Sequence, residues 1–343
     1  MKKVLFFLIF IQGFSQEKTA LKFSGYGELY YNYNFKQPDN HENESFLYNF
    51  KKHNEININL VYAKANYETN KLRANLALMA GTYAQYNLSN EPTWAQYIYE
   101  ANVGFKISKS KNLWIDAGIM PSHIGFETAV GADNFTLTRS ILAENSPYYE
   151  MGVKLSYTNP KNNFSYSFLV LNGWQRIQRL DSVQKPSFGM QFSYKPKENL
   201  TLNYSNFIGS DKPDSYKAWR VFHNLYAIYE ANKKWSFIAG FDLGTDKSDS
   251  RKYGFWYAPV FISSYSLNDT SKMAVRIENY NDKNQIIINY PDSTKSNIWG
   301  CSMNYDRFLI ENILWRVECK YLLMETAPKP NSIYTTTSLS YRF

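Results

Sequence analysis

The residues best placed for chemistry lie in one polar stretch. Segment 126–148 carries Glu127, Asp133, Arg139 and Glu144. Opposite charges in a narrow, partly desolvated site set up a transverse field that orients dipolar solutes. That is filter chemistry, and catalysis finds little support beside it. The histidines, His41, His53, His123 and His223, show no metal-ligand spacing. There is no G-x-S-x-G elbow for a nucleophile. Gly25 and Gly27 form a lone G-x-G inside an alternating run, which is not a phosphate loop. Asp246 and Asp249 could hold calcium, but solvated loop charge is the simpler reading. Neither a cofactor nor a metal site is expected.

Two alternating runs position that stretch. In 113–120, Leu113, Ile115, Ala117 and Ile119 share one face; Trp114 and Asp116 take the other. In 150–157, Met151, Val153, Leu155 and Tyr157 oppose Glu150, Lys154 and Ser156. Period two means strands. A long insertion between paired strands is usually functional or disordered. This one holds apolar anchors, Phe126, Val130, Phe135, Leu137, Ile141 and Leu142. It is expected to fold inward, pack on residues such as Trp114 and Met120, and form a short helix over 136–144. That places Glu127, Asp133, Arg139 and Glu144 near water at a constriction.

The same rhythm runs through the chain. Short turns near 68–71, 109–112, 160–163, 195–199, 232–234, 268–271 and 308–312 alternate with longer loops. About sixteen strands result, within the even range of outer-membrane barrels. The expected fold is all-β: a transmembrane antiparallel up-and-down barrel with an inward third loop. A bilayer forbids open sheet edges, so the last strand should pair with the first. On the turn near 308–312, Cys301 and Cys319 are expected to face each other on adjacent strands, outward, with a bridge left open.

Charges on the strands fall opposite apolar residues. A lipid-facing charge costs about 2–4 kcal/mol at the midplane, so these must face the lumen. The expected wall includes Arg73, Lys106, Asp116, Lys154, Arg276, Glu278, Arg316, Glu318 and Lys320. With Glu100, Glu150, Arg220 and Asp242 added, seven cations meet six acids. Weak selectivity follows. An ion-pair ladder that only braces the wall remains the alternative.

Composition fits this reading. Aromatics make up 17% of 343 residues, with a net charge of +8. Amphipathic rings suit a surface that meets both headgroups and water. Residues 1–15 read as a signal peptide, with Lys2 and Lys3 before an apolar stretch at 4–11. Residues 16–343 then form one barrel domain. The lysines are dispersed, and secretion argues against nucleic acid.

Several motifs resemble a known family. Gly118, Pro121, Gly125 and Glu127 form G-x-x-P-x-x-x-G-x-E. Thr138-Arg139-Ser140, Pro147 and Gly152-Val153 follow, then Arg276-x-Glu278 and Arg316-x-Glu318-x-Lys320. The pattern is similar to the OmpL-like beta-barrel porin family. The resemblance implies an outer-membrane channel for small hydrophilic solutes in a Gram-negative bacterium. Leu339, Tyr341 and Phe343 share one face and resemble the terminal targeting signal of such barrels. Expected partners are therefore outer-membrane lipid, the barrel-assembly machinery and solutes, with a homo-oligomer open. The competing reading is a surface receptor or adhesin acting through its loops.

Overall fold

The computed structural model describes residues 20–248, 252–289, 296–325 and 331–343. The expected signal peptide at 1–15, and Asp249, lie outside the described residues. The first eight strands are β1 Ala20–Asn34, β2 Ile56–Glu68, β3 Leu72–Ala80, β4 Ile98–Lys106, β5 Leu113–Pro121, β6 Tyr149–Thr158, β7 Phe164–Leu171 and β8 Ser187–Lys197. The second eight are β9 Leu200–Gly209, β10 Arg220–Glu230, β11 Trp235–Lys247, β12 Tyr253–Asn268, β13 Ser271–Asp282, β14 Ser296–Ile310, β15 Ile313–Met324 and β16 Asn331–Arg342. Each pairs with its sequence neighbours, and β1 pairs antiparallel with β16 to close the barrel. Closure gives every strand two partners, as lipid requires.

Alternation decides what each wall presents. Leu76, Leu78, Val103, Phe168, Phe241, Val275, Ile277 and Trp299 point outward and are exposed. Their inward neighbours Arg276, Glu278, Arg316, Glu318 and Lys320 are buried. Leu339, Tyr341 and Phe343 share the exposed outer face at the closing seam. There the backbones of Gly25 and Phe343 exchange hydrogen bonds of 3.1 and 3.2 Å. Gly25 is the residue the Phe343 ring needs, because a side chain there would collide with that ring. The G-x-G pair is thus a packing device at the seam.

Two local expectations are corrected. Cys301 lies opposite Tyr321, and Cys319 opposite Met303, one same-face step out of register. Both cysteines are free and exposed. The strands run further before turning than the sequence suggested, and a bulge between Phe308 and Ile310 shifts the pairing. The second long connection is also not plain loop. It contains α1, Thr82–Asn87, and a 3-10 turn at Ala95–Tyr97.

Candidate functional site

The third long connection, residues 122–148 (L3), holds a 3-10 turn at Gly131–Asp133 and the short helix α2, Ile141–Glu144. The helix expected over 136–144 is therefore only its last turn. Wall side chains take the backbone groups that a longer helix would use. Leu137 N–H donates to Asn304 at 3.0 Å, and Thr138 N–H to Glu318 at 2.5 Å. The Thr138 carbonyl accepts from Arg276 at 2.6 Å, and the Arg139 carbonyl from Lys320 at 3.1 Å. Ser140 caps what remains, accepting from Ala143 N–H at 3.1 Å.

Arg276 is the hub of this contact. Its guanidinium lies 3.1 Å from Glu278 and 3.0 Å from Glu318. It also donates to the Thr136 hydroxyl at 2.7 Å and the Thr138 hydroxyl at 3.0 Å. Glu278 accepts from Ile141 N–H at 2.6 Å. Arg316 forms a second anchor: it pairs with Asp306 at 2.7 Å and donates to the Gly131 carbonyl at 2.7 Å. All these wall groups are buried. Charge-assisted bonds of this kind are the strong ones, and they hold L3 against β13 to β15. Gly131 meets β1 as well, since a side chain there would run into the Glu28 carboxylate.

The four charges of L3 divide by place. Arg139 is 0% exposed. It donates to the carbonyls of Ala129 at 2.7 Å and Leu137 at 3.0 Å, cross-linking L3 internally. Among the described residues, no carboxylate reaches ion-pair distance of it. Glu127 is buried and accepts from Ser140 N–H at 3.0 Å. Burial raises its carboxyl pKa, against the lowering pull of Arg276 and Ser140. Glu144 accepts from Tyr48 N–H at 2.8 Å, and burial raises its pKa too. Asp133 alone is well exposed, pairing with Arg342 at 2.7 Å. Arg139 and Glu127 are thus buried within L3, whose apolar anchors Val130, Leu137, Ile141 and Leu142 are buried too. Trp114 is not their packing partner; it stacks under Arg73 at 4.5 Å.

Sequence reasoning missed the root of L3. His123 Nδ1 lies 2.7 Å from Glu150, and Nε2 lies 2.8 Å from the Asn206 carbonyl. Both ring nitrogens face acceptors, so the site is built for an imidazolium. Burial alone would lower its pKa, but the Glu150 charge and hydrogen bonds outweigh it and raise the pKa. The available signal was a histidine five residues beyond Gly118 in the family-like motif.

The opposite wall is more open. Asn66, Asn75 and Asn102 form a hydrogen-bonded track of 2.8 and 3.0 Å across β2, β3 and β4. They are only half-buried, as are Lys64, Arg73, Lys106, Lys154 and Ser156 beside them. Toward the long-loop end, a cavity of about 380 Å³ is lined by Tyr48, Glu144, Trp174, Arg176, Asp211 and Arg220.

A closed sixteen-strand barrel with an apolar exterior and a charged interior defines a porin-class outer-membrane protein. Residues 20–342 match the family Putative beta-barrel porin-2, OmpL-like, and the chain belongs to it. No curated protein sequence matches the chain. Among solved structures, the anion-selective porin of Comamonas acidovorans is similar at TM-score 0.62 and 9% identity, over 95% of this chain and 100% of that one. The channel DcaP of Acinetobacter baumannii gives 0.63 and 10%, over 97% and 100%. Salmonella typhi OmpF, solved with daunomycin, gives 0.61 and 10%, over 94% and 97%. At these identities the likeness is one of fold. The protein is an outer-membrane channel for small solutes in a Gram-negative bacterium, and family and fold both point to a channel rather than an enzyme.

Proposed function

We propose that small hydrophilic solutes diffuse passively between L3 and the β2–β8 wall, with L3 setting the narrowest point. The observation that carries this is the asymmetry of the interior. The inward charges of β13 to β15 are buried under L3, whereas the inward cations and asparagines of β2 to β6 remain half-exposed. In this reading Asp133 borders the path toward the short turns and Glu144 borders it at the cavity. Arg139 and Glu127 act indirectly, by keeping L3 folded. Arg276, Glu278, Arg316, Glu318 and Lys320 anchor the loop, while Arg73, Lys106 and Lys154 line the water and Asp116 lies buried beneath Arg73. The outer faces of β1 to β5 carry Gly25, Gly27, Ala63, Ala65, Ala74, Ala101 and Ala117, a smooth surface suited to a second copy.

The buried interior also favours a second reading, a surface receptor or adhesin whose barrel is plugged. Planar-bilayer recording separates the two. The channel reading expects steady conductance from the wild type and a larger unit conductance after deleting residues 132–144. A silent wild type would establish the plugged barrel; an unaltered conductance in the deletion would remove L3 from the path.

A further inference from the structure

Inward cations and acids balance by count, yet they differ in what reaches water. Lys64 pairs with Glu100 at 2.6 Å, with side-chain exposures of 25% and 7%. Arg73 pairs with Asp116, and there the exposures are 30% and 6%. In both pairs the carboxylate is the buried partner and the cation its cover. Glu150, the third acid of this wall, is buried against His123. Lys106 and Lys154 are half-buried and, among the described residues, have no acid within ion-pair distance. Lys154 stands directly across from Asp116, whose carboxylate Arg73 already occupies. Glu68, the exposed inward acid at the rim of β2, shares that rim with the exposed inward Lys22 of β1.

We infer that the channel prefers anions, selected by the water-facing cations Lys64, Arg73, Lys106 and Lys154 on the wall opposite L3. This inference rests on the channel reading above. The physics is short-range focusing. A solute passing this wall meets ammonium and guanidinium groups first, with their counter-charges set behind them in a less polar layer. Small carboxylates and inorganic anions gain a favourable potential along the row, and small cations meet a barrier. The Asn66–Asn75–Asn102 track beside it supplies uncharged groups that replace lost hydration without reversing the sign. On the L3 side the exposed acid Asp133 is matched by Arg342, so it supplies no competing field.

The test is the reversal potential of the full-length protein in planar bilayers under a KCl gradient. The dilute side is held at about 0.1 M, where the Debye length is about 10 Å. The wild type is expected to reverse on the chloride side. Lys106→Glu with Lys154→Glu should move reversal to the potassium side, with current retained. Lys111→Glu, in a turn outside the lumen, should leave it unchanged. Heat-modifiable gel mobility reports whether each variant folds. Should the glutamate pair misfold, Lys106→Gln with Lys154→Gln should read a smaller shift of the same sign. A potassium-selective wild type, or a reversal potential indifferent to folded Lys106 and Lys154 variants, overturns the inference and leaves the channel standing. A folded wild type with no conductance overturns both.

Discussion

The two walls of this barrel handle charge in opposite ways. Across β13 to β15, Arg276, Glu278, Arg316, Glu318 and Lys320 are buried, and their hydrogen bonds reach into L3. Across β2 to β6, Lys64, Arg73, Lys106 and Lys154 remain half-exposed. Both walls show the same alternation and the same residue types. The difference is whether a loop lies on them. A buried charge stays only if every partner is in place, so the covered wall is a docking surface. A half-exposed pair contributes little to stability and leaves a field in the water, which is what the proposed filter requires of the open wall.

The largest expected break in this comparison is Arg276→Ala. It leaves Glu278 and Glu318 buried without their guanidinium, at a cost of about 3–5 kcal/mol. L3 should come off the wall, raising unit conductance toward that of the 132–144 deletion while the barrel stays heat-modifiable. Arg73→Ala on the open wall breaks a half-exposed pair with about 0–1 kcal/mol at stake. Its melting temperature should match the wild type, and equal destabilisation by the two variants would erase the distinction between the walls.

Arg139→Gln comes next. It removes two charge-assisted bonds to carbonyls, about 1.5–3 kcal/mol each. L3 should loosen from within, giving noisy current and new protease cleavage between 126 and 148. Lys154→Gln should keep a quiet current and alter ion preference alone. A quiet Arg139→Gln channel with changed selectivity would return Arg139 to the water path.

A smaller effect is expected from pH. His123 has a raised pKa in the folded protein, with Glu150 the dominant favourable charge and Lys154 opposing it. Its contribution is therefore fully present below the ordinary imidazole range, about pH 6.5, and is lost as pH rises through the raised folded value. Flickering of the current should increase over that window. His123→Gln should abolish the dependence, and a wild type that quiets as pH rises would refute the assignment.

Much of this was legible in the sequence. Period two placed Arg276 and Ile277 on opposite faces, and Leu339, Tyr341 and Phe343 together on the outside. The inward charge count was readable too. Its distribution between water and interior was not, because burial of Glu100 under Lys64, or of Arg276 under Thr138, depends on contacts far apart in the chain. Alternation fixes the face of a residue and says nothing about what lies over it. The α2 helix came out shorter than 136–144 suggested for the same reason. Apolar spacing marked Leu137 and Ile141 correctly as anchors, but gave no sign that Asn304, Glu318 and Arg276 would claim the backbone between them. His123 escaped notice because its two acceptors, Glu150 and the Asn206 carbonyl, come from strands 27 and 83 residues away.

The bonds between L3 and its wall also bear on the order of events during folding. Thr138 meets Glu318, and Arg316 meets Gly131, at separations of 180 and 185 residues. The loop and the strands that hold it are thus far apart in the chain, and such distant contacts form late. Until β13 to β15 arrive, residues 126–148 have no seat, and their apolar anchors are without cover. Seating of L3 is then among the last steps of maturation, and on the reading proposed above a barrel caught before that step would be the wider hole.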